Sequence, residues 1–237
     1  MPILIKSKVH MNRCYFLLKS CVLGVFILFG TAFLAIAQEF EGTIHYEIPE
    51  MKASGMGEMV YMIKDSKARI EFGEGMQKGA MLFFPEESKS VVIIEQMKGY
   101  IMMDQESFQD EDDTSSDFTM EKTGKNKTIA GQSCEVWVIK HRDEQYHVCM
   151  AKGLGSFMMP SNPMGGSRNV PRWAEEAITQ GVMPLEVVLM KGNQTEMQMK
   201  ATRITPKSMD ATLFEIPDGY KDMSSMMKQM MQRSRRN

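Results

Sequence analysis

The sequence predicts a mainly β protein of the α+β kind, an antiparallel sheet accompanied by two helices. Three observations lead there. Short apolar segments separated by turn residues recur along the chain, several of them alternate apolar and polar side chains, and only two stretches carry the three-and-four spacing of an amphipathic helix.

The elements follow in chain order. Residues 41–48 set Ile44, Tyr46 and Ile48 on one face; residues 58–64 form the next strand; residues 67–72 place Ala68, Ile70 and Phe72 against Lys67, Arg69 and Glu71, the period of a half-buried antiparallel strand. Residues 79–84, 90–96 and 100–103 continue the meander, broken by Pro85 and by Lys98-Gly99. Val91 to Ile94 is apolar on both faces, which requires cover on both sides of the sheet there. Residues 105–117 are polar and acidic and lack the glycine and spaced ligands of an EF-hand, so they read as a surface loop.

Residues 134–140 and 145–151 read as a hairpin turning through 141–144. Centred between His141 and Arg142, it sets Cys134 opposite Cys149 and Trp137 opposite Tyr146. Opposed residues in antiparallel strands have Cα atoms about 4.5 to 5.5 Å apart, within reach of a disulfide. A helix over 171–180 begins at Pro171, ends before Gly181 and carries Trp173, Ala174, Ala177 and Ile178 as its apolar stripe. Strands at 185–190, 196–204 and 213–216 follow. The last helix, 222–235, spaces Met223, Met226, Met227, Met230 and Met231 along one face and ends in arginines that suit its dipole.

The N-terminus has the form of a secretory leader. Lys6, Lys8, Arg13 and Lys19 precede an apolar run over 22–36, and Ala35-Ile36-Ala37 offers a cleavage site before Gln38. The run is shorter than the about 20 residues of a stable span. Met11 is an alternative start, and Cys21 lies upstream of the apolar core, where it cannot serve as a lipobox cysteine. The expected organisation is a signal peptide at 1–37, one β-rich domain at 38–220 and a methionine-striped helix or tail at 221–237, exported to periplasm or extracellular space with no membrane span after processing. Removing the leader leaves 24 basic residues against 30 acidic ones, a formal −6, the wrong sign for a nucleic-acid partner. It also leaves only Cys134 and Cys149, which in an oxidising compartment close as a pair.

Four segments resemble a known family. Phe40-Glu41-Gly42-Thr43-Ile44-His45-Tyr46, residues 125–131 followed by Cys134-Glu135-Val136-Trp137, Gly181-Val182-Met183-Pro184-Leu185, and Leu213-Phe214-Glu215-Ile216-Pro217-Asp218-Gly219-Tyr220 are together similar to domain-of-unknown-function family 4412. The strand order and that ending also resemble, more distantly, the LolA-type periplasmic lipoprotein carriers. This second resemblance implies a curved antiparallel sheet or open half-barrel holding acyl chains against internal helices. Neither resemblance supplies a catalytic residue.

No nucleophile elbow, Walker loop, dinucleotide fingerprint or His-Glu-x-x-His occurs, so the chain reads as a non-enzyme without cofactor or metal. Methionine is the unusual feature, 26 in the whole chain. Flexible thioethers line adaptable apolar surfaces; they also bind copper(I) and absorb oxidation, and these readings stay open. In Met56-Gly-Glu-Met59-Val-Tyr-Met62, residues three apart on a strand point to opposite faces, which weakens chelation. The expected groove lining is Met158, Met159, Trp173 and Ile178, with Met223, Met226, Met227 and Met230 as a lid. A hydrophobic small molecule, lipid or lipidated peptide is the expected ligand. The alternative is an envelope module that docks a protein partner through its C-terminal helix or acidic loop.

Overall fold

The computed structural model describes residues 39–55, 57–73, 78–104, 118–158, 172–192 and 194–234. The expected leader and the acidic loop at 105–117 lie outside the described residues. Glu39–Asn237 form one compact unit.

Alternating side chains build one twelve-stranded sheet. Its strands are β1 (Gly42–Glu47), β2 (Met59–Lys64), β3 (Lys67–Phe72), β4 (Gly79–Phe84), β5 (Lys89–Ile94), β6 (Gly99–Asp104), β7 (Phe118–Ile129), β8 (Gln132–His141), β9 (Glu144–Ala151), β10 (Met183–Lys191), β11 (Gln194–Pro206) and β12 (Lys221–Asp222). The order is β12-β6-β5-β4-β3-β2-β1-β11-β10-β9-β8-β7, so two meanders meet where β1 pairs with β11. Every pairing is antiparallel except β12 on β6. The sheet is curved and open, as the resemblance to the LolA-type fold implies. Three α-helices complete the described residues: α1 (Pro49–Ala53), α2 (Arg172–Thr179) and α3 (Ser224–Ser234).

The period of two decides which side chains are buried. In β2, Met59, Tyr61 and Ile63 are buried while Val60, Met62 and Lys64 are half-buried. They join Ile44, Tyr46, Ile70, Met81, Phe83 and Val92 in one large cluster, on the face that also carries α2 and α3. The opposite side chains Ala80, Leu82, Val91 and Ile93 form a second cluster under Ile216 and Tyr220. This supplies the two-sided cover that Val91 to Ile94 demanded.

Residues 213–216, expected as a strand, instead close a 3-10 turn at Ala211–Phe214, where the Asp210 side chain accepts from the Thr212 N–H. The turn puts Phe214 into the core and leads into a strap across the second cluster. The hairpin register also differs. Its turn is only Arg142 and Asp143, with Arg142 in the left-handed region, so Val136 faces Cys149, Trp137 faces Val148, and Ile139 faces Tyr146. Cys134 thus lies diagonal to Cys149, and the pair still closes, with Cα atoms 5.3 Å apart. Three elements have no counterpart in the sequence reading. α1 is one turn; β7 is mostly exposed and bulges between Lys122 and Asn126, which erases its alternation; β12 is two residues long, yet it ties the expected tail to the sheet edge.

Candidate functional site

The face of the sheet that carries both longer helices is the candidate site. Helix α2 packs on β8, β9 and β10, burying Trp173, Ala174 and Ala177. It ends as the sequence required, with Gly181 at positive φ and the Val182 N–H returning to the Ala177 carbonyl at 3.0 Å. The segment after β9 crosses toward β2. There Phe157 stacks on Tyr61 at 6.1 Å between centroids and tilts against Trp173 at 5.8 Å, an aromatic bridge from helix to sheet. The Tyr61 hydroxyl accepts the Met158 N–H at 2.8 Å, and the Tyr46 hydroxyl donates to the Pro184 carbonyl at 3.0 Å. Burial pushes both phenols well above their usual pKa, so each remains a neutral hydrogen-bonding group.

Helix α3 sits on the same face at the other end of the sheet, over β6. Asp222 accepts from the Ser224 N–H, and the Ser224 hydroxyl accepts the Met102 N–H at 2.9 Å, pinning the helix start to the edge strand. Met223 and Met227 pack against the large cluster, while Met226 and Met230 are exposed. The Met223 Sδ occupies the space that a Cβ on Gly99 would need, so the absence of a side chain at Gly99 seats the helix.

The expected lining residues therefore divide. Trp173 and Met158 are joined through Phe157; Met223 and Met227 pack on the same cluster from beside β6, with six strands lying between β6 and β10 in the sheet order. Ile178 is exposed, because it sits to one side of the row Trp173, Ala174 and Ala177 that α2 presses onto the sheet. Met159 lies outside the described residues. In the other methionine run Met59 is buried and Met62 is half-buried, on opposite faces of β2. Among the described residues no group of three His, Cys, Asp or Glu side chains is placed to hold a metal ion. His45 instead contacts Glu58 at 2.8 Å and Arg203 at 3.1 Å; burial pushes the Glu58 carboxyl up, but its hydrogen bonds from His45 and Thr202 outweigh this and hold its pKa below the usual range.

Residues 40–220 match the domain of unknown function DUF4412. The chain belongs to that family. No curated protein matches it. Among solved structures, this DUF4412 chain is similar to an uncharacterized conserved protein from Thermus thermophilus, at 9% identity and TM-score 0.43, over 79% of this chain and 90% of that one. It is also similar to PNGF-II, at 12% identity and TM-score 0.45, over 83% of this chain and 33% of the other. A third likeness is to MucB in complex with MucA(peri), at 12% identity and TM-score 0.37, over 73% of this chain and 52% of that one. The DUF4412 chain thus spans a third of PNGF-II and about half of MucB.

Tyr46, Tyr61 and Phe157, the aromatic residues at the middle of the site, carry no site signature in the sequence of this DUF4412 domain. Tyr46 and Tyr61 were visible as members of alternating strands, but nothing local distinguishes a tyrosine that holds a loop from one that only packs. Among the described residues no helix is long and apolar enough to cross a membrane.

Proposed function

We propose that this chain is an exported, non-enzymatic protein that binds a hydrophobic ligand, a lipid or a lipidated peptide, on the helix-bearing face of its curved sheet. One observation carries the reading. Among the described residues, a large apolar cluster on one face of the sheet is packed by two short helices, and beside the docked Met223 and Met227 the side chains of Met226 and Met230 stand exposed at its margin. Thioethers are flexible and polarizable, which suits contact with an alkyl chain of variable shape. The Tyr61, Phe157 and Trp173 bridge forms the fixed wall in this reading; Met223, Met226, Met227 and Met230 form the adaptable one. Export is supported by the leader pattern at 1–37 and by the closed Cys134 and Cys149 pair, since disulfides persist in oxidising compartments.

Native mass spectrometry of the exported protein, followed by titration of delipidated protein with a fluorescent fatty acid, tests the proposal. A co-purifying lipid and saturable uptake are expected. Protein that carries no lipid and takes up none overturns it.

A further inference from the structure

The exposed apolar residues are not scattered. Five large hydrophobic side chains stand exposed among the described residues, and four belong to one end of the sheet: Met97 at 59%, Met102 at 41%, Met226 at 46% and Met230 at 57%. Met97 lies in the turn entering β6 and Met226 and Met230 on α3, while Met102 on β6 alternates to the Tyr100 side of the edge strand, opposite Ile101 and Met103. Hydrogen bonds hold these pieces together, the Lys221 N–H donating to the Lys98 carbonyl at 2.9 Å and the Met223 N–H to the Tyr100 carbonyl at 2.8 Å. In water such a grouping is unfavourable, and it marks a surface that meets an apolar phase.

Charge indicates which phase. Lys98, Lys221, Lys228 and Arg233 are exposed among these methionines. Two carboxylates lie on the same elements and keep their charge, Glu95 accepting from the Tyr220 hydroxyl and Asp222 from Ser224, so these four cations outnumber them two to one. Residues 223–237 contain four basic residues and no acidic one, in a chain whose formal charge is −2. Positive charge is therefore concentrated where the apolar side chains emerge. On α3, Met226, Met230 and Arg233 follow i, i+4, i+7 and share one flank beside the docked Met223 and Met227 row. An amphipathic helix that mixes apolar and basic side chains lies in the plane of an anionic lipid interface.

We infer that the β6, β12 and α3 end of the sheet is a docking surface for an anionic lipid membrane. The methionines enter the boundary between headgroups and acyl chains, and Lys98, Lys221, Lys228 and Arg233 pair with lipid phosphates. A protein partner would present fixed side chains to a fitted pocket. What this end offers is a convex helix flank with unbranched, mobile thioethers and dispersed cations, which suits a fluid surface. The inference goes beyond ligand binding on the sheet face and stands without it.

Vesicle flotation of the protein as exported tests it, using phosphatidylcholine vesicles with and without phosphatidylglycerol, at low and high salt. Comparison of variants with the parent isolates this surface from any contribution of the N-terminus. The protein should float only with the anionic vesicles and be released by salt. K228E/R233E should weaken the association about tenfold or more, at roughly 1 kcal/mol per basic residue near the surface. M226S/M230S should weaken it as well, with thermal melting of both variants showing that the fold survives. Flotation that ignores lipid charge, or that neither double substitution changes, overturns the inference. So does capture of an acidic protein through these residues by a chain that binds no vesicle. Uptake of a soluble fluorescent fatty acid by K228E/R233E, measured in parallel, separates loss of docking from failure of the ligand-binding proposal.

Discussion

The Arg69 guanidinium on β3 donates to the main-chain carbonyl of Leu213 at 3.0 Å, across 144 residues of sequence. The same side chain pairs with Glu71 at 2.9 Å and is itself buried. Arg69 thus ties the strap that ends in Ile216 and Tyr220 to the sheet it covers. Substitution R69M should destabilise the fold by about 3 kcal/mol, because it strands the Glu71 carboxylate and the Leu213 carbonyl together. Urea denaturation measures the loss, and an unchanged midpoint would show that the strap is held by apolar contact alone.

Removing the disulfide should cost about 3 kcal/mol, the chain-entropy value for a loop of this length. C134S/C149S in urea, beside the parent with and without reductant, checks it. The reduced parent and the double variant should coincide.

Tyr61 anchors the loop that bears Phe157. Y61F removes the acceptor of the Met158 N–H and should cost about 1–3 kcal/mol. Hydrogen exchange should speed up first at Ser156 to Met158 and leave β8 and β9 protected.

Gly99 decides whether α3 can seat. G99A places a methyl group where the Met223 Sδ lies and should cost about 1–3 kcal/mol by overpacking. Faster hydrogen exchange at Met223 and Met227 is the expected signature. Adding M223A should restore much of the lost protection at Met227, which a general loss of stability would not predict.

Glu41 fastens the start of the domain to its end. It pairs with Lys64 at 2.7 Å and accepts the Met209 N–H, and these contacts hold its carboxyl below the usual pKa. A group whose folded pKa is depressed stabilises the fold fully above its unfolded pKa and loses that contribution as pH falls through the folded value. Stability should therefore fall with acidification below the ordinary carboxylate range, and E41Q should show a shallower fall. Melting temperature against pH for the two proteins compares them directly.

Much of this architecture was legible in the residues. The order of the meander strands, the two longer helices with their glycine stop and methionine stripe, the pairing of Cys134 with Cys149, and the need for cover on both sides of Val91 to Ile94 all follow from periodicity and turn chemistry, which act over a few residues. The elements that escaped were those whose cause lies far away in the chain. β7 is a mostly exposed edge that packs Phe118, Met120 and Ile129 on the core at its two ends but bulges between Lys122 and Asn126, and β12 exists only because β6 offers it unpaired main-chain groups.

The distribution of apolar, polar and turn residues by itself determined that this chain makes an antiparallel sheet that contains a disulfide hairpin and is flanked by two amphipathic helices. The tertiary structure alone decided that Leu213 to Ile216 wraps the sheet as a strap, that the hairpin turns at Arg142 and Asp143, and that Met223 and Met227 pack half-buried against the sheet while Met226 and Met230 stay outside. The reason is that a stripe of equivalent methionines carries no label for its inner members. Only the space above Gly99 and the edge of β6 select which of them pack.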